Sequence, residues 1–302
     1  MFDYAVSPFL SLTHGNLKDA EKKIEDVLPE LNKDSMTVVP QILGHEVEEF
    51  VELSNRLYEL GYNEVNWNMG CPMRRVAGKH RGSGILPYPD EVREILECVV
   101  PRIKPQLSVK MRLGYRSSSE IDHIIPILND YPIKDVTVHP RIGKQMYSGL
   151  TDVERFAQIL PQIHHKVIYN GDICSVYDYK KIRQRFPSVK DVMIGRGALY
   201  NPALPLQIRM ECEDDFERAD IVFEGCEKNK FEEIEKLNSR FVVSLMTEIL
   251  SLDSSNESKC RKMKEYWCLL SKALPGSEEL KRRVLHADVL DDIFSMILEM
   301  TK

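Results

Sequence analysis

The sequence predicts an α/β fold, a TIM-type (β/α)8 barrel with seven strands evident, followed by a small C-terminal helical domain. Three observations lead there. Seven short β-rich runs start at Asp3, Met36, Glu64, Leu107, Asp135, Lys166 and Asp191, some 25 to 43 residues apart, the spacing of successive βα units. Amphipathic stretches lie between them, such as HEVEEFVELSNRLYELG from His45, closed by Gly61, and PDEVREILECVV from Pro89, opened by a proline and two acids. Almost every strand run ends in polar or glycine residues: Gln41, Asn66 and Asn68, Lys110 and Arg112, His139 and Arg141, Asn170, Gly195 and Arg196. An open doubly wound sheet fits the same rhythm but gathers its ligand at one switch point, whereas the strand C-termini of a barrel ring a single site.

Behind the barrel, expected over residues 1–210, the stretch 211–235 carries eleven acids against Arg218, Lys228 and Lys230 and marks a boundary. Residues 236–302 then read as amphipathic helices, with Leu245, Ile249, Leu250, Trp267, Leu270, Ile293, Ile297 and Leu298 as core positions.

Composition narrows the functional classes. With 43% hydrophobic and 29% charged residues, the 302-residue chain is ordinary globular protein, neither collagen-like nor disordered. No run approaches 18 apolar residues, and the N-terminal MFDYAVSPFLSL lacks the basic region of a signal peptide, so a cytoplasmic protein without a membrane partner is expected. Seven cysteines with no C-x-x-C pair argue against a disulfide framework or a metal cluster. The net charge of −6 speaks against coating nucleic acid by bulk charge. Locally the balance reverses, to a net +6 over Cys71–Arg116 and +4 over Asn256–His286.

The stretch EVNWNMGCPMRRVAGKHRGSGIL from Glu64 is the most informative. Asn66 and Asn68 alternate on a strand and so share a face. Cys71 follows at the strand's exit, and the basic run punctuated by Gly78, Gly82 and Gly84 has the composition of a lid. Lys110 and Arg112 also share a face, and two cations aimed at a barrel mouth are costly unless something anionic or carbonyl-rich binds there. His139 and Arg141 repeat the arrangement one strand later. Asn170-Gly171-Asp172 and Gly195-Arg196-Gly197 close the last two strands, where barrels of this type hold phosphates. The pair of glycine turns with an arginine points to a phosphorylated cofactor or substrate.

NWNMGCPMRRV, VKMRLG, VHPR, YNGDI and MIGRGALYNP, in this order and spacing, resemble the flavin-dependent tRNA-dihydrouridine synthase family, bacterial type. The resemblance runs from about residue 3 to residue 209, and the C-terminal helices match that family's RNA-binding domain in size and position. It implies an FMN cofactor with Gln41 and Lys110 on the isoalloxazine ring and His139 close by, and with the phosphate at Asn170, Gly171, Asp172, Gly195 and Arg196. It implies Cys71 as the general acid and Asn68, Arg112 and Tyr147 as contacts to the substrate uridine or its neighbours.

The implied reaction reduces the C5–C6 double bond of tRNA uridines, with NADPH or NADH as reductant and tRNA as partner. The residue types suit it. A cysteine thiol with a reference pKa near ~8.5 is largely protonated at neutral pH and can donate a proton. Lys110 and Arg112 suit charge developing on a uracil carbonyl. A uracil in folded RNA must be extruded to reach a cofactor. Lys259, Arg261, Lys262 and Lys264 in the helical domain are candidates for the RNA phosphates. A monomer is the simplest expectation.

The family opens with a further strand ending in a Pro-Met motif, and the run at Asp3–Phe9 resembles its second strand. Seven strands where closure takes eight leave two edges exposed, and weakened FMN binding is expected. Two other readings stay open on the sequence: a flavin-deficient RNA-binding homologue, and a flavin barrel that reduces a free pyrimidine.

Overall fold

The computed structural model describes residues 2–11, 24, 27–32, 36–212, 227–274 and 276–300. The chain divides into two compact units, one of Phe2–Gly171 with Phe186–Met193 and the other of Asp172–Arg185 with Ile194–Lys302.

The first unit holds all seven predicted strands, β1 Tyr4–Leu10, β2 Thr37–Ile42, β3 Glu64–Met69, β4 Gln106–Gly114, β5 Ile133–Ile142, β6 Lys166–Asn170 and β7 Asp191–Met193. They form one parallel sheet in sequential order, β1 to β7, as in a TIM-type barrel. The sheet curls. Tyr4 on β1 feels the charges of Asp135 on β5 and Asp191 on β7, strands with which β1 shares no hydrogen bonds.

Two-residue alternation sorts each strand's side chains. On β3, Val65, Trp67 and Met69 are buried on the helix-covered side, where Trp67 meets Phe50 of the helix Val47–Glu59 edge to face at 5.8 Å and donates its indole N–H to the Gly44 carbonyl at 2.9 Å. Leu107, Val109, Met111 and Leu113 do the same on β4, and Val136 and Val138 on β5. The alternate residues, Asn66, Asn68, Ser108, Arg112, Thr137, His139 and Arg141, are buried too, so the strands are covered on both faces and only one of those faces is apolar.

At the N-terminal ends of the strands a polar layer is drawn from every second one: Tyr4 of β1, Glu64 of β3, Asp135 of β5 and Asp191 of β7. Lys134 pairs with Glu64 and Lys166 with Asp191. Burial, with Glu64 and Asp191 adding to it, pushes the Asp135 carboxyl up from 3.8 to about 6 despite Lys134 and Lys166 nearby. A carboxyl raised in the folded state contributes stability below its unfolded pKa and loses it as pH rises through the folded one. Asp135→Asn is therefore expected to be more stable than the parent at pH 7.5 by up to about 3 kcal/mol, the gap closing near pH 4. Thermal midpoints at the two pH values check this.

The second unit is helical. Helices Glu227–Ser251, Asn256–Leu270, Glu278–His286 and Leu290–Met300 enclose a core of Val242, Met246, Ile249, Met263, Trp267, Leu270, Val284, Ile293 and Ile297. Leu245 and Leu250 pack against it, half-buried, and Leu298 is also half-buried. Asn238 binds the chain that follows the last strand: its Oδ1 accepts from the Ala203 N–H at 2.9 Å and its Nδ2 donates to Asn201 at 3.2 Å. These bonds help to place 194–212 with the helices. The acidic stretch expected as a boundary lies for the most part, 213–226, outside the described residues. No helix among the described residues is long and apolar enough to cross a membrane.

Candidate active site

Buried amides must find partners or cost several kcal/mol, and the polar face of the sheet satisfies this with a relay. Gln41 pairs in register with Asn66. Its Nε2 donates to Asn66 Oδ1 at 2.8 Å, and Asn66 Nδ2 donates in turn to Ser108 Oγ at 2.9 Å. One pleat above, Asn68 Nδ2 donates to Gln41 Oε1 at 2.6 Å. Asn68 Oδ1 accepts the backbone N–H groups of Gly70 at 3.0 Å and Cys71 at 2.8 Å. Asn68 thus holds the turn that carries Cys71.

Cys71 is half-buried, and its carbonyl is held as firmly as its N–H. The N–H and the hydroxyl of Ser83 both donate to Cys71 O, each at 3.0 Å. The glycine-punctuated run between them, lid-like in composition, is packed instead. Residues Gly82–Ile85 form a buried 3₁₀ turn, and a Cβ on Gly84 would lie 2.1 Å from the Ala77 carbonyl. Gly82 has φ +56°, and a Cβ there would meet Cys71 O at 2.6 Å, so close approach to the cysteine requires glycine. Arg74, Arg75 and Lys79 are exposed on the same segment.

Beside Asn68 in register is Lys110, one pleat below Arg112. Burial, reinforced by the Arg112 charge and opposed by Cys71, lowers the Lys110 ammonium from 10.5 to about 8. Among the described residues no hydrogen-bond acceptor or carboxylate pairs with that ammonium. Arg112 is fully buried and partnered: its Nη1 donates to Ile142 O at 2.9 Å and Met146 O at 2.6 Å, and the guanidinium lies 5.3 Å from the ring centre of the exposed Tyr147. It therefore clamps the loop after β5. Burial also lowers its pKa.

Next to Arg112 in register is His139. Arg141 Nη1 lies 2.9 Å from His139 Nε2, and because a guanidinium only donates, Nε2 accepts and the proton of the neutral ring sits on Nδ1. The Gly171 backbone, at φ +145°, runs against the ring edge, where a Cβ would lie 3.1 Å from His139 Cδ2. Asn170 ends β6 with Nδ2 donating to Met193 O at 2.8 Å. Asn68, Lys110, Arg112, His139 and Cys71 are thus gathered at the C-terminal ends of β3 to β5, with Gln41 beneath Asn68 and Tyr147 on the rim.

Asp172, Gly195 and Arg196 belong to the helical unit. There Arg196 Nη2 pairs with Asp172 Oδ1 at 3.3 Å, and a Cβ on Gly195 would meet nothing within 4 Å. Of the four basic candidates in the long helices, Lys259 is spent on the Leu250 carbonyl and Lys264 pairs with Asp288, while Arg261 and Lys262 are exposed. Sequence reasoning missed Ser83 and Ser108. Ser108 was readable, two residues before Lys110 on the same strand face. Ser83 had no local signal, since its bond to Cys71 spans 12 positions.

Residues 5–286 match the family model described as dihydrouridine synthase. The chain is 32% identical over 165 residues to tRNA-dihydrouridine synthase B of Pasteurella multocida, 54% of this chain and 49% of that one. It is 29% identical over 217 residues to a tRNA-dihydrouridine(16) synthase of Haemophilus ducreyi, covering 69% and 66%. A tRNA-dihydrouridine(16) synthase of Neisseria meningitidis is 24% identical over all of this chain and 88% of its own length. The matched stretch is thus about half to two thirds of the first two relatives.

Proposed function

This chain belongs to the dihydrouridine synthase family, and from that premise we propose that it reduces the C5–C6 double bond of tRNA uridines with FMN as cofactor and NADPH or NADH as reductant. The observation that carries the proposal is Lys110, a half-buried cation on β4 with no partner of its own among the described residues, one pleat from Arg112 and within electrostatic reach of Cys71. Such a group is expensive unless a ligand rich in carbonyls or negative charge completes it.

The donor set fits FMN. Lys110 and His139 suit ring carbonyls and nitrogens, and Gln41, with one amide hydrogen and one lone pair already used, retains one of each. Within the sheet unit, the Gly171 backbone, at φ +145°, suits the close approach of a phosphate. Reduced FMN, when bound, supplies a hydride. The chain's own residues do the rest. Cys71 delivers its thiol proton to C5 of the base, held in place through its backbone by Asn68 and Ser83. Lys110 stabilises charge on the uracil carbonyl, and Arg112 holds Tyr147 where the extruded base and its neighbours enter. Exposed Arg74, Arg75 and Lys79, and Arg261 and Lys262 in the helical unit, suit RNA phosphates, with salt-sensitive affinity as their signature.

The test is an absorbance spectrum of the purified protein, followed by anaerobic NADPH and unmodified tRNA. Flavin bands that bleach with NADPH and return on adding tRNA are the expected result. A protein that stays colourless and inactive with FMN supplied would overturn the proposal.

A further inference from the structure

We infer that Ser83 is a positioning residue for the Cys71 thiol, an inference that rests on the proton-donor reading of Cys71 only for its catalytic consequence. Three segments close on this cysteine. From β3 comes Asn68, which takes its N–H at 2.8 Å. The 3₁₀ turn brings Ser83, which is wholly buried and gives the carbonyl two hydrogen bonds at 3.0 Å, one from the backbone and one from the hydroxyl. The loop after β5 brings Gly143, where a Cβ would stand 2.5 Å from Ser83 Oγ, so the hydroxyl is boxed in from behind.

With both its N–H and its carbonyl tied, Cys71 has little backbone freedom, and the directions open to its side chain are correspondingly few. A proton donor needs this, because transfer to a carbon atom depends on distance and angle and a misplacement of about 1 Å costs up to about a hundredfold in rate. The backbone bond from Ser83 would survive a side-chain change. The hydroxyl's contribution is therefore separable from the turn's existence.

The test is Ser83→Ala in the 302-residue chain, read first without turnover. Iodoacetamide alkylation of the Cys71 peptide is followed by mass spectrometry across pH, with the exposed Cys98 and Cys174 as internal references. Cys71 is expected to react about three- to tenfold faster, while the references are unchanged. In turnover with tRNA, kcat is expected to fall about 10- to 100-fold with KM nearly constant.

An unchanged Cys71 profile overturns the inference, whatever kcat does. A changed profile with undiminished kcat upholds the positioning role and instead removes Cys71 as proton donor. Should the alanine protein not fold, Ser83→Cys, close in shape and a far weaker donor, carries the same measurement, since cleavage after Arg81 separates the two cysteine peptides.

Discussion

Cys71→Ala protein, loaded with FMN and reduced anaerobically, is expected to return its electrons to unmodified tRNA about 10²- to 10⁴-fold more slowly than the parent, the range ascribed to a well-placed general acid. The structure gives a reason to expect a clean loss. Asn68 and Ser83 grip Cys71 through its backbone, so truncating the side chain leaves the turn's hydrogen bonds intact. Flavin content and tRNA affinity should change little, and stopped-flow reoxidation isolates the step. If reoxidation slows less than about tenfold, the proton comes from elsewhere.

Lys110→Met is expected to move binding and stability in opposite directions. The lysine's folded pKa of about 8 lies below the ordinary 10.5, so its cost is absent above pH 10.5, grows as pH falls towards 8, and is fully present at neutrality. Methionine fills the same space without charge. Cofactor-free Lys110→Met protein is therefore expected to be more stable than the parent at pH 7 by up to about 3 kcal/mol, a difference that shrinks as pH approaches 10.5. Its affinity for FMN is expected to fall about 10- to 100-fold, the value of one hydrogen bond from a charged donor. Thermal melts and flavin-fluorescence titrations at pH 7 and 10 read both effects. A methionine variant that is less stable at pH 7 would mean that Lys110 is already satisfied by the protein.

All seven strands were legible because a buried parallel strand leaves a dense apolar run in the sequence, and because the two-residue period already separated Val65, Trp67 and Met69 from Asn66 and Asn68. The same period made it legible that Lys110 and Arg112 share a face. What a polar side chain does once there was less so. Asn68 and Arg112 look in sequence like groups held out for a ligand, yet much of their bonding capacity is spent inside the fold, on the Cys71 turn and on the Ile142 and Met146 carbonyls. The Arg112 partners lie 30 and 34 positions away along the chain, beyond any local pattern, whereas the Asn68 partners are only two and three residues on. The glycines of the basic run failed in a different way. Glycine permits both motion and close packing, and only the approach of Gly84 to Ala77 shows that packing was chosen here.

The alternation along β3, β4 and β5 gives each strand an apolar face that packs on the helices and a polar face whose residues, among them Asn66, Asn68 and Arg112, are bonded to one another and to the turns around them. A change at Asn66 or Ser108 therefore leaves a buried neighbour short of a hydrogen-bond partner, whereas Val65, Val109 and Val136 answer to packing alone. Inward substitutions on these three strands are thus expected to come in compensating pairs, one partner for each hydrogen bond that is broken.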